Sequence, residues 1–103
     1  MPIVRIVSPR DVTLEIYQQV REKMDADNNP PEGLILHTAS EVDGKLKIVD
    51  VWESEEYAER FGRERLGPAI MEVAPQVGGP PEPSQIQVYE VKNLTKGTSL
   101  IGA

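Results

Sequence analysis

Apolar and polar residues along this chain switch between two rhythms, one of period two and one near 3.6. Residues 2–8, PIVRIVS, are short, β-branched and proline-bounded, which predicts a first strand. From Asp11 or Thr13, either a suitable N-cap, the spacing becomes helical: Leu14, Tyr17, Val20 or Arg21, and Met24 share one side. Glu15, Gln18, Gln19, Glu22 and Lys23 then face water. The helix is expected to end in DADNNPPEG, where Pro30 and Pro31 forbid continuation and asparagine tolerates left-handed geometry.

Residues 33–53 hold two strand-like runs around Asp43-Gly44, the dipeptide that a two-residue type I′ turn favours because both positions need positive φ. Ser54 follows as a candidate N-cap, with Glu55 and Glu56 in the first turn, where the helix dipole favours negative charge. That helix runs through SEEYAERFGRERLG, and Gly67-Pro68 is expected to break or kink it before PAIMEVA. PQVGGPPEPSQ reads as a loop, IQVYEV (86–91) as the last strand, and TKGTSLIGA shows no periodicity. The order βαββαβ predicts an α+β, ferredoxin-like domain over residues 1–93, a four-stranded antiparallel sheet with two helices on one face, and a tail over 94–103.

With a two-residue turn at 43–44, Val42 faces Lys45 and the whole pairing is set. His37 falls opposite Asp50, Ala39 opposite Ile48 and Ile35 opposite Trp52, all on one face, because side chains alternate. The other face receives Leu36 with Val51 and Thr38 with Val49. An aspartate inside a buried strand costs several kcal/mol unless it is paired or hydrated. Three readings of the pair remain open: a solvated cross-strand pair, a buried inert pair, or the lining of a ligand pocket. Trp52 fits core filler as well as a pocket wall, and so do Tyr57 and Phe61, four residues apart on the second helix.

Composition narrows the chemistry. A chain of 103 residues makes one domain, and with aromatics at 5% its core must be mostly Ile, Val and Leu, so association would help it. The formal net charge of −6, with no run of Lys or Arg longer than two, disfavours nucleic acid and anionic membranes as partners. No apolar run reaches the roughly 18 residues of a membrane span, no signal-peptide pattern opens the chain, and a cytoplasmic protein is expected. Cysteine is absent and His37 is the sole histidine, which excludes thiolate chemistry and a multi-histidine metal site within one chain. Asp25, Asp27 and Asn29 have the spacing of calcium ligands, but Pro30 stands where the loop needs glycine and Leu36 where it needs its closing glutamate. Gly78 and Gly79 do not lead a strand into a helix, so they form no phosphate-binding fingerprint.

The stretch VDVWESEEYAERF resembles the antibiotic-biosynthesis-monooxygenase-like group of dimeric α+β barrel proteins, through the junction Trp52, Ser54 and Glu56. Residues 33–69 are more specifically similar to small actinobacterial-type members. The resemblance spans roughly residues 3–92. It implies a homodimer whose two sheets pack face to face, with a pocket between each sheet and its own helices, lined by Trp52 and, with it, Asp50 and His37. Haem-degrading relatives carry a ligating histidine about eleven residues after the Trp, where this chain has Arg63, so haem degradation is not expected. Quinone-forming relatives use an Asn or Arg with a Trp and no metal or flavin; Arg5 is a loose analogue and the Asn has no match.

The resemblance implies a cofactor-independent monooxygenase acting on a small aromatic or polyketide-like substrate. His37, oriented by Asp50, would be the general base. Trp52, Ile35, Tyr57 and Phe61 would hold a flat ring, and Arg5 would stabilise an anion. A cyclase or isomerase on the same fold would share the first deprotonation. A non-catalytic ligand-binding or stress-related dimer would use the same pocket without chemistry.

Overall fold

The computed structural model describes residues 2–9, 12–73 and 85–99. In chain order these form β1 (Ile3–Ser8), α1 (Leu14–Met24), β2 (Leu34–Val42), β3 (Lys45–Trp52), α2 (Glu55–Phe61), a π turn (Gly62–Leu66), α3 (Gly67–Val73) and β4 (Gln85–Glu90). The strands make one antiparallel sheet in the order β2-β3-β1-β4. This is the expected ferredoxin-like α+β arrangement, its second helix divided into consecutive segments. The proline- and glycine-rich stretch and Asp11 lie outside the described residues. Residues 94–99 carry no regular structure and are exposed.

Thr13 caps α1, its hydroxyl accepting from the Ile16 N–H at 3.2 Å. The helix ends at Met24, with Asp25 as its C-cap. Asp25 takes the left-handed conformation (φ 52°) that the sequence suggested for an asparagine, and its N–H bonds back to the Arg21 and Glu22 carbonyls. Asn28 Nδ2 steadies the Asp25 carboxylate at 2.9 Å. Ser54 occupies the N-cap of α2 in extended backbone, but its side chain makes no capping bond, so the two first-turn glutamates serve that end through the helix dipole.

The expected break at Gly67-Pro68 is instead a change of pitch. Pro68 has no N–H to give, and its ring would press on the carbonyl four residues back. The wider turn over Gly62–Leu66, closed by the Gly67 N–H on the Gly62 carbonyl, absorbs both problems and lets α3 continue.

The hairpin turn is as expected, with Asp43 at φ 52° and Gly44 at φ 75°. Pairing follows the expected register from Val42↔Lys45 through His37↔Asp50 to Leu36↔Val51. It then departs: a bulge between Leu34 and Leu36 puts Leu34, not Ile35, opposite Trp52. Ile35 is the extra residue, and Leu34 takes the place expected of it against the Trp52 cluster.

Combining the three ladders gives side-chain rows that run across the whole sheet. On the helix-facing side one row reads Leu34, Trp52, Ile3, Glu90; the next reads His37, Asp50, Arg5, Val88. On the opposite side Leu36, Val51, Val4 and Tyr89 form an apolar row. Two clusters fill the core under the helices. Ile3, Trp52 and Ala58 join the sheet to α2, with Leu34, Tyr57 and Phe61 around them. Val20, Ala69 and Val73 join α1 to α3.

Candidate functional site

His37 and Asp50 sit side by side on β2 and β3, as the turn register requires. Asp50 is 9% exposed, and its Oδ1 lies 2.5 Å from His37 Nδ1. An ionised carboxylate only accepts, so Nδ1 carries the proton and donates it to Asp50. The other ring nitrogen is taken as well. Tyr17, on the inward side of α1, brings its hydroxyl to 2.5 Å from His37 Nε2, and the two rings lie nearly parallel with centroids 6.0 Å apart. With Nδ1–H committed to Asp50, Nε2 holds the lone pair and Tyr17 O–H donates to it.

The chain continues outward. Arg21, one helical turn after Tyr17, donates Nη1–H to the Tyr17 oxygen at 3.3 Å, lies over its ring, and pairs with the exposed Asp27. Burial pushes the Tyr17 phenol up from its ordinary pKa, against the opposing pull of Arg21. Burial works against the Arg21 charge, but Tyr17 and Asp27 outweigh it and raise the guanidinium pKa. The result is one hydrogen-bonded line, Asp50–His37–Tyr17–Arg21–Asp27, from a buried strand to the surface.

Sequence reasoning placed Tyr17 among apolar helix positions and so missed its role. The available signal was its hydroxyl: a tyrosine on the buried face of a helix needs a partner for that group, and His37 was the free acceptor on the facing sheet. Arg21 was noticed only as an alternative to Val20 on the buried side.

Arg5 shares the row of His37 and Asp50, being the Cα partner of Asp50 on β1. Its Nε is buried without a hydrogen-bond partner among the described residues, and so is Nε1 of Trp52, which is 1% exposed. Leaving such a donor unpaired costs about 1–3 kcal/mol. Trp52 packs on Phe61 with ring centroids 5.5 Å apart. Tyr57 and Phe61 in turn line an open cleft of about 260 Å³ with Pro31, Arg60 and Arg65, the two arginines lying over the two rings. Neither this cleft nor a recess of about 350 Å³ beside Gln19, Glu22 and Val73 is lined by His37 or Asp50. The polar row and the aromatic cluster are neighbours along β3. Among the described residues no group of three or more His, Cys, Asp or Glu side chains is placed to hold a metal ion, and no helix is long and apolar enough to cross a membrane.

No protein-family model and no curated protein matches the chain in sequence. Solved structures do match it in shape. A candidate antibiotic biosynthesis monooxygenase from Deinococcus radiodurans superposes with a TM-score of 0.61 at 15% identity, covering 96% of this chain and 100% of that one. The fold is that of the antibiotic-biosynthesis-monooxygenase-like proteins. The Rv0793 protein of Mycobacterium tuberculosis superposes with a TM-score of 0.63 at 14% identity, over 93% of this chain and 100% of that one. The haem degrader MhuD of the same organism, with two haems bound, gives 0.54 at 18% identity, over 91% and 99%. Arg63 is exposed on the π turn, and both ring nitrogens of the sole histidine are already bonded.

Proposed function

We propose that this protein binds a small aromatic or polyketide-like molecule against the helix-facing side of its sheet and removes a proton from it, as a cofactor-independent monooxygenase. The observation that carries this reading is the line from Asp50 through His37 to Tyr17. A carboxylate that fixes the tautomer of an imidazole, which in turn accepts from a phenol, is an arrangement for moving a proton. The unpaired Arg5 and Trp52 donors supply hydrogen bonds for an oxygen of the bound molecule. An electron-rich phenol or anthrone, once deprotonated, can pass an electron to oxygen without help from a metal or flavin. A cyclase or isomerase would begin with the same step. A carrier or sensor would use the same donors without chemistry.

Oxygen uptake and product absorbance with a panel of hydroquinones and anthrones test this directly. Turnover by the wild type, lowered by about 10²-fold or more in His37→Ala, is the expected result. Binding of the same compounds without turnover would replace the enzyme by a carrier.

The working unit in this proposal is a homodimer. The apolar row Leu36, Val51, Val4 and Tyr89 lies on the side of the sheet that the helices leave open, with Leu36 44% and Tyr89 51% exposed. A second sheet would cover it, and such a patch is uncommon on a monomer. Sedimentation should give a dimer for the wild type at micromolar concentration and a monomer for Leu36→Lys combined with Tyr89→Lys. A monomeric wild type would refute the pairing. A cytoplasmic location is part of the same proposal.

A further inference from the structure

We infer that Tyr17, and not His37, is the group that touches the substrate, with His37 as the internal proton store behind it and Arg21 as the counter-charge for the substrate's oxygen. The inference rests on the proton-transfer reading above and changes which atom performs it.

His37 has no ring nitrogen left for a substrate. Nδ1 donates to Asp50 and Nε2 accepts from Tyr17, each at 2.5 Å, and the ring of Tyr17 lies nearly parallel to the imidazole. The imidazole could act on a substrate only if Tyr17 left its place in α1. Tyr17 itself is different. A phenol oxygen has one proton to donate and two lone pairs; the proton goes to His37 and one lone pair accepts from Arg21 Nη1. One lone pair remains, on a residue that is only partly buried.

The transfer then balances without an outside reagent. The O–H or acidic C–H bond of the substrate breaks, and its proton forms a new bond to the Tyr17 oxygen. The original Tyr17 O–H bond breaks at the same time, and that proton forms a bond to His37 Nε2. The electron pair stays on the substrate, as a phenolate or enolate oxygen facing the Arg21 guanidinium. Tyr17 is neutral before and after, His37 becomes imidazolium, and Asp50 beside it balances the new charge. A phenol that is held protonated by burial suits this role, because the relay never asks it to remain ionised. Arg21 is held in place from its other side by Asp27. The substrates that fit are those with an acidic hydroxyl or enolisable carbonyl beside a flat ring, and neutral compounds without one should bind without reacting.

The test uses the full chain and three variants, Tyr17→Phe, His37→Ala and the double variant. Tyr17→Phe keeps the ring against His37 and removes only the hydroxyl. In the protein alone, nitrogen-15 NMR of the imidazole should show the Nε2 resonance move in Tyr17→Phe while Nδ1 keeps its bond to Asp50. An unmoved Nε2 resonance would show that the two groups are not bonded, and would overturn the inference. With the hydroquinone and anthrone panel, kcat should fall about 10²-fold in Tyr17→Phe, with KM little changed, and the double variant should be no slower than the slower single one. Turnover that survives in Tyr17→Phe but is lost in His37→Ala would make His37 the direct base, leaving the enzyme reading intact and this inference wrong. Absence of turnover in the wild type would remove both.

Discussion

Trp52→Ala should be among the most destabilising single substitutions in this protein, costing about 3–5 kcal/mol. The indole is the largest fully buried side chain, and it joins β1, β3 and α2 through Ile3, Ala58 and Phe61. A domain of this size has a total stability of about 5–15 kcal/mol, so the loss takes a large share. Urea unfolding followed by far-ultraviolet circular dichroism is the measurement, since the variant has no tryptophan to fluoresce. Trp52→Phe keeps the packing with Phe61 and should lose far less stability, while giving up the Nε1 donor and weakening ligand binding. A midpoint for Trp52→Ala equal to wild type would mean that the cluster does not hold the fold together.

Gly33→Ala is the second, for two separable reasons. Gly33 has φ 82°, where a side chain is strained, and a Cβ there would lie 2.3 Å from Cγ of Tyr57. Left-handed geometry costs about 1–2 kcal/mol and overpacking about 1–3 kcal/mol, so a loss of about 2–5 kcal/mol is expected. The Gly33 carbonyl also accepts from the Glu53 N–H at 2.8 Å, so a shift of the loop to relieve the clash would pull on the start of α2. In a Tyr57→Gly background, which removes the Cβ at 2.7 Å as well as the ring, the clash disappears and only the backbone part of the cost should remain. Thermal unfolding of the two pairs measures the difference; an equal loss in both backgrounds would assign the whole effect to φ.

The sheet and its central polar pair were legible in the sequence because period-two patterning and one Asp-Gly turn settle most of the register. That pairing needs only local chemistry: two positive-φ residues and the alternation of side chains. The bulge at Ile35 was not legible. Nothing in GLILH marks an extra residue; the bulge lies at the far end of the hairpin, where the Gly33 carbonyl accepts from the Glu53 N–H. The π turn was hidden for a similar reason. Gly67-Pro68 announces a conflict with helical pitch but not whether the chain resolves it by breaking or by widening. Tyr17 escaped because helix periodicity reports which residues face inward and says nothing about which sheet row they meet. Arg5 was named through the family resemblance, as a loose analogue on the first strand, but the surroundings of its Nε depend on packing that the sequence does not report.

The bulge also sets where this hairpin tolerates changes of length. The strands are held at zero offset by the turn at 43–44, and the slack lies at Ile35, on the far side of His37. Losing Ile35 would straighten the ladder beyond His37 and leave His37 facing Asp50. A single insertion between His37 and the turn would turn the imidazole to the open face, among Leu36 and Val51. The loop that enters β2 can thus change length without disturbing the polar pair, while the fourteen residues from His37 through the turn to Asp50 behave as a ruler of fixed length.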